Sequence, residues 1–259
     1  MPEVTEPYAP GTPCWVSLTA KDQQAALDFY RDLFGWQGEI GPAEFGGYAI
    51  CTLTGKPVAG ISPTMPVGDA PEPPPAWTTF LVGTDARATQ DAIVAAGGSL
   101  LAPVADIGTR GRMLVAADPQ GAVFGVWQPV DFPGAQVVNE PSALVWNELR
   151  TSDVSGAGAF YSTVFGVSVT PMGGTESYWT VEADGRSVGG VTTLDEEPPG
   201  TLPYWRTYFA VDDADSTVDA LVKAGGNVLV PPSDLAAGRT AVVTDPQGAR
   251  FAVIKATPM

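Results

Sequence analysis

The sequence predicts an α+β protein built from a duplicated βαβββ module. Three observations carry this: motifs repeat in register, each copy alternates strand-like and helix-like patterns, and turn residues punctuate both copies at matching places. Cys14-Trp-Val-Ser-Leu18, Asp22, Phe29-Tyr30 and Phe34-Gly35 recur as Val145-Trp-Asn-Glu-Leu149, Asp153, Phe160-Tyr161 and Phe165-Gly166. Further on, Ala76-Trp77-Thr-Thr-Phe80 matches Tyr204-Trp205-Arg-Thr-Tyr208, and Ala96-Gly97-Gly98 matches Ala224-Gly225-Gly226. Asp118-Pro-Gln-Gly-Ala122 returns unchanged as Asp245-Pro-Gln-Gly-Ala249. The modules are placed at 10–128 and 142–256, joined by a Pro/Gly-containing linker over 129–141.

Within the first copy, Trp15–Leu18 reads as a short strand. Asp22 then caps a helix whose apolar positions Ala26, Phe29, Tyr30 and Leu33 follow helical spacing, and Gly35 stops it. The second copy repeats this with Asp153, Ala157, Phe160, Tyr161 and Val164. Strands follow near Tyr48–Leu53, Val58–Ile61 and Thr78–Val82. A second helix runs from about Asp85 to Ala96, with a counterpart from Asp213 to Ala224. Met113–Ala117 and Val123–Trp127 close the copy as a hairpin, turned by Asp118-Pro-Gln-Gly, which suits a type I turn.

Composition narrows the function classes. With 44% hydrophobic and 16% charged residues, the 259-residue chain can pack a core, and it contains no run of about 20 apolar residues that would span a membrane. Its start lacks the basic and apolar segments of a secretory signal, so a cytoplasmic location is expected. Cys14 and Cys51 then read as small buried hydrophobes. A net charge of −16 disfavours nucleic acid and anionic membranes as partners. The chain has no histidine, which removes the usual general base and every imidazole-ligated metal site.

A duplicated module with a strand, an "FY..LFGW" helix and a closing "DPQG" hairpin resembles the vicinal oxygen chelate superfamily of glyoxalases, bleomycin-resistance proteins and extradiol dioxygenases, and its two-module bacterial glyoxalase-like or hydroxylase-like branch in particular. The resemblance spans Thr12 to Lys255 and implies curved mixed sheets that enclose clefts. In metal-dependent members, ligands sit on the first, middle and final strands. The matching positions are Trp15 and Trp146, Trp77 and Trp205, and Gly125 and Ala252, none of which can bind a metal. No metal and no cofactor are therefore expected.

The same positions suggest a cleft with indole walls. The resemblance also implies that each cleft takes its first strand from one module and its other strands from the partner. With strand alternation, that groups Trp146, Glu148, Trp77, Thr79, Gly125 and Trp127 in one cleft, and Trp15, Ser17, Trp205, Thr207 and Arg250 in the other. The tryptophans either clamp a planar ligand or fill a degenerate cleft as core. Glu148, buried beside indoles, should have a raised pKa suited to acid/base work, or it pairs structurally. Tyr48 and Tyr178 are equivalent strand residues able to hydrogen-bond a ligand.

These features point to a metal-free protein, monomeric or homodimeric, that binds a small aromatic or antibiotic-like molecule. A cofactor-independent tailoring enzyme using Glu148 for isomerisation, cyclisation or ring opening is the alternative, as is an accessory partner of an oxygenase. Of the two clefts, the one containing Trp146 and Glu148 is expected to be the functional one.

Overall fold

Fifteen strands and four α-helices alternate along the chain in a computed structural model that describes residues 4–64, 72–174 and 177–257. The first half comprises β1 (Pro13–Ala20), α1 (Gln23–Phe34), β2 (Ala49–Leu53), β3 (Lys56–Pro63), β4 (Ala76–Val82), α2 (Ala86–Ala95), β5 (Ser99–Asp106), β6 (Gly111–Ala117) and β7 (Val123–Pro129). The second comprises β8 (Leu144–Thr151), α3 (Val154–Phe165), β9 (Ser168–Pro171), β10 (Trp179–Ala183), β11 (Arg186–Thr193), β12 (Tyr204–Ala210), α4 (Ala214–Lys223), β13 (Asn227–Leu235), β14 (Gly238–Thr244) and β15 (Arg250–Ala256). No helix among the described residues is long and apolar enough to cross a membrane.

Local chemistry sets the helix ends. Asp22 and Asp153 accept hydrogen bonds from the backbone N–H three residues on, satisfying a donor that the first helical turn leaves free. Gly35 and Gly166 end the same helices in the left-handed region, at φ 74° and 73°, where a Cβ would be strained.

Each half forms its own sheet. The first has the order β2-β3-β1-β4-β7-β6-β5, and the second β13-β14-β15-β12-β8-β11-β10-β9. The central pairs β1/β4 and β8/β12 are antiparallel, while β4/β7 and β12/β15 are parallel. A half is thus two strand–helix–strand units laid side by side. This overturns the expectation that each cleft draws its strands from both halves: the strands paired with β8, β11 and β12, both lie in the second half.

What the halves share is their helix-covered faces. One core cluster joins α1 and Val16, Leu18 and Trp77 of the first half to Phe209, Leu221, Val243, Phe251 and Val253 of the second. A second cluster joins Leu81, Ile93, Leu114 and Phe124 to Leu149, Phe160, Tyr161 and Trp205. Both cysteines are free and buried. Burial pushes the Cys51 thiol up to about 12 and the Cys14 thiol higher still.

Repeated motifs meet at this junction. Tyr30 Oη donates to Asp245 Oδ2 at 3.1 Å, and Tyr161 Oη donates to Asp118 Oδ2 at the same distance. Each tyrosine in turn accepts from an indole, Trp77 Nε1 at 3.1 Å and Trp205 Nε1 at 2.9 Å. The other carboxylate oxygen of each aspartate closes its hairpin, accepting from the Ala122 and Ala249 amides at 2.9 Å. The Asp-Pro-Gln-Gly turn therefore does more than reverse the chain: it ties one half to the other.

Candidate functional site

The opposite, helix-free face of each sheet is the candidate cleft, and strand register decides which side chains reach it. Trp15 pairs with Phe80, and Phe80 with Gly125, so these share one rung across β1, β4 and β7. The matching rung of the second sheet is Trp146, Tyr208 and Ala252. One step along each strand pair lie Ser17 with Thr78, and Glu148 with Arg206.

Four expected cleft residues consequently belong elsewhere. Trp77, Thr79, Trp205 and Thr207 point to the helix-covered side, because β4 and β12 run with the opposite alternation to the one anticipated. Trp77 and Trp205 are the indoles of the inter-half locks, and Thr79 donates to Asn147 Oδ1 at 2.7 Å. Thr207 is fully buried. Trp15, Ser17, Gly125 and Trp127 share the first helix-free face, whereas Trp146, Glu148 and Arg250 share the second.

The first face is packed shut. Phe132 stands edge-on against Trp15 at 5.0 Å and against Trp127 at 5.9 Å, and Trp127 Nε1 donates to the Phe132 carbonyl at 2.8 Å. Gly125 does not leave space for a ligand, since a Cβ there would lie 2.2 Å from the Phe80 ring. Here the indoles fill a core.

A parallel relay runs through both faces and then diverges. Trp15 Nε1 donates to Tyr48 Oη at 2.7 Å, and Tyr48 donates to Ser17 Oγ at 3.0 Å. Likewise Trp146 Nε1 donates to Tyr178 Oη at 2.9 Å, and Tyr178 is hydrogen-bonded to Glu148. Gly60 and Gly190 make this possible: a Cβ at either would fall within 2 Å of the tyrosine oxygen. Burial, then the charge of Glu148, push the Tyr178 phenol far above its ordinary value.

Around Glu148 the second face carries a charge cluster that, among the described residues, the first lacks. Glu148 Oε1 accepts from Arg150 Nε at 2.7 Å and from Tyr208 Oη at 3.0 Å, with Arg206 Nη1 at 3.8 Å. Glu197, on the loop between β11 and β12, turns inward and bonds Arg206 with one oxygen; its other oxygen accepts from Arg250 Nη1 at 2.8 Å. Both Arg206 and Arg250 also stack over Tyr204, at 5.6 and 5.2 Å from the ring centre. Glu148 is thus a paired carboxylate rather than one isolated among indoles. Arg150, Arg206, Tyr204, Tyr208 and Glu197 were not foreseen. Alternation from Glu148 reaches Arg150, and the opposite parity on β12 exposes Tyr204, Arg206 and Tyr208, whereas Glu197 lies on a loop. A cavity of about 180 Å³ touches this face through Trp146 alone; Tyr8, Pro13, Val138, Asn139 and Val188 also line it, which places it where the first half and the linker meet the start of β8.

The rung Trp146, Tyr208 and Ala252 offers one oxygen, the Tyr208 phenol, which burial and the neighbouring Glu148 push up to about 12. Glu148 is already committed to Arg150 and Tyr208. A divalent ion needs several deprotonated O, N or S ligands. Among the described residues no group of three or more such side chains could hold one, so this donor set does not fit a metal.

Residues 14–126 and 143–253 each match the family model for the glyoxalase/bleomycin resistance protein/dioxygenase superfamily. CFP32 of Mycobacterium bovis, whose name classes it with the glyoxylases, is 43% identical over 100% of this chain and 99% of its own. The anthracycline biosynthesis protein DauV of Streptomyces sp. strain C5 is 34% identical over 96% of this chain and 94% of its own. Among solved structures, the Mn(II)-bound glyoxalase from Novosphingobium aromaticivorans superposes with a TM-score of 0.64 at 16% identity, covering 95% of this chain and 83% of that one. The 2,3-dioxygenase LapB from Pseudomonas sp. KL28 gives 0.63 at 13% identity, covering 97% and 94%. At these identities the two structures share the fold. With both halves matched, the chain belongs to the glyoxalase/bleomycin resistance protein/dioxygenase superfamily.

Proposed function

We propose that the helix-free face of the second sheet binds a planar aromatic small molecule without a metal. The observation that carries this is the contrast between the two faces. The first is closed by Phe132, while the second sets Trp146, Tyr178, Tyr204 and Tyr208 around a buried polar cluster, with Trp146 also lining a cavity. Apolar walls with a few fixed polar groups are the usual make-up of a small-molecule site. The names of DauV and DnrV, both anthracycline biosynthesis proteins, favour a polycyclic aromatic ligand of that chemical kind. Glu148, held by Arg150 and Tyr208, suits an orienting role better than a travelling proton.

Tryptophan fluorescence of chelator-treated protein, titrated with planar polyketide aglycones, tests this reading. Saturable quenching, weakened at least tenfold in Trp146→Ala, is expected. Absence of saturable quenching by every aglycone overturns it.

A further inference from the structure

We propose that the Arg206–Arg250 pair is an anion subsite for a carboxylate on the aromatic ligand, filled in the free protein by the chain's own Glu197; this rests on reading the second face as the ligand site. Glu197 reaches the cluster from an exposed loop, with Glu196, Pro198, Pro199 and Gly200 all facing solvent. Its side chain alone is inserted, 6% exposed, and each of its oxygens meets a different guanidinium. A third guanidinium, Arg150 Nη1, lies 3.9 Å away.

Charge balance makes this carboxylate exchangeable rather than dispensable. Arg150, Arg206 and Arg250 face Glu148 and Glu197, with the solvent-exposed Glu196 carboxylate 3.5 Å from Arg150, so withdrawing Glu197 leaves three cations against one buried anion and one exposed anion. An uncompensated buried charge is costly, and guanidinium forks bind carboxylates strongly. A ligand carboxylate entering as Glu197 leaves for solvent restores the balance, and its aromatic body would lie against Tyr204 and Trp146.

Among the described residues, the equivalent loop of the first half shows no such device. Its Glu72 is bonded to Thr64, and the facing rung there is Ser17 and Thr78, without an arginine. Among the described residues, the inward carboxylate and the arginines it meets therefore occur together in one half only. A net charge of −16 repels anions at long range, so selectivity for a carboxylate must arise locally from these guanidinium groups.

A matched pair of probes tests the subsite: anthraquinone-2-carboxylate and its neutral carboxamide, titrated by calorimetry into wild-type protein, Glu197→Gln and the double variant Glu197→Gln/Arg250→Ala. Arg250 is partly exposed, and circular dichroism checks the fold of each variant. Glu197→Gln should bind the carboxylate at least tenfold more tightly than wild type, with the carboxamide changed less than threefold. The double variant should lose that gain. If both probes bind but Glu197→Gln shifts them equally, the subsite is overturned while the ligand face stands. If neither probe binds any of the folded proteins, subsite and ligand face fall together.

Discussion

Tyr30, from the first half, and Asp245, from the second, form a hydrogen bond of 3.1 Å that Tyr161 and Asp118 reproduce in reverse. Both aspartates lie in buried surroundings, and burial raises their carboxyls above the usual range despite the backbone amides that favour the charge. The two bonds make the junction symmetric although the helix-free faces are not.

Tyr30→Phe should therefore cost about 1–3 kcal/mol, because it strands the Asp245 oxygen and leaves the Trp77 indole N–H without its acceptor. Urea unfolding of Tyr30→Phe, Asp245→Asn and the double variant would measure the coupling. Strict additivity would show that the bond carries no stability of its own.

The two first-strand indoles should behave differently when removed. Trp15→Ala opens a void between Phe132 and Trp127 and should destabilise by about 3–5 kcal/mol. Trp146, partly exposed, should cost less stability but more affinity for an aromatic ligand. Paired thermal melts and fluorescence titrations separate the two effects; a larger loss of affinity at Trp15 would reverse the choice of face.

Glu148→Gln keeps the shape of the site but removes the negative charge beside Arg150 and Arg206. A loss of about 2 kcal/mol or more is expected, since a buried guanidinium is left short of its counter-charge. Unchanged chemical stability would mean that the ion pair is energetically neutral.

Neither thiol should react in the native state. Cys51, raised to about 12, and Cys14, higher, should resist a disulfide reagent at pH 8 and titrate fully in guanidinium chloride. The raised values also set a sign. The unfolded chain loses these protons first, so stability held below about pH 9 declines as pH rises toward 12. Rapid native labelling of Cys51 would contradict the buried setting.

The duplication, the capped helices and the closing hairpins were legible because each has a local signature. Capping aspartates, helical spacing and an unchanged Asp-Pro-Gln-Gly tetrapeptide are read within a few residues of one another. β5 and β13 were not anticipated: both are edge strands, largely exposed, interrupted by Pro103 and by Pro231 and Pro232, so period-two patterning is absent. The facing of β4 and β12 is hidden in the sequence for the opposite reason. Both sides of these central strands are covered, so Ala76–Val82 and Tyr204–Ala210 are buried nearly throughout and their patterns do not declare a direction. Glu197 lay beyond reach because its partners are set by a loop path rather than by periodicity.

The crossed tyrosine–aspartate bonds also bear on how the two halves could drift apart. The residues that hold them together, Tyr30, Tyr161, Asp118, Asp245, Trp77 and Trp205, all lie on or beside the helix-covered side. A substitution on a helix-free face leaves these fastenings untouched. Phe132 can therefore seal one half's helix-free face while the other carries arginines and tyrosines, with the same fastening under both. The fastening tolerates specialisation because it never passes through the surface that specialises.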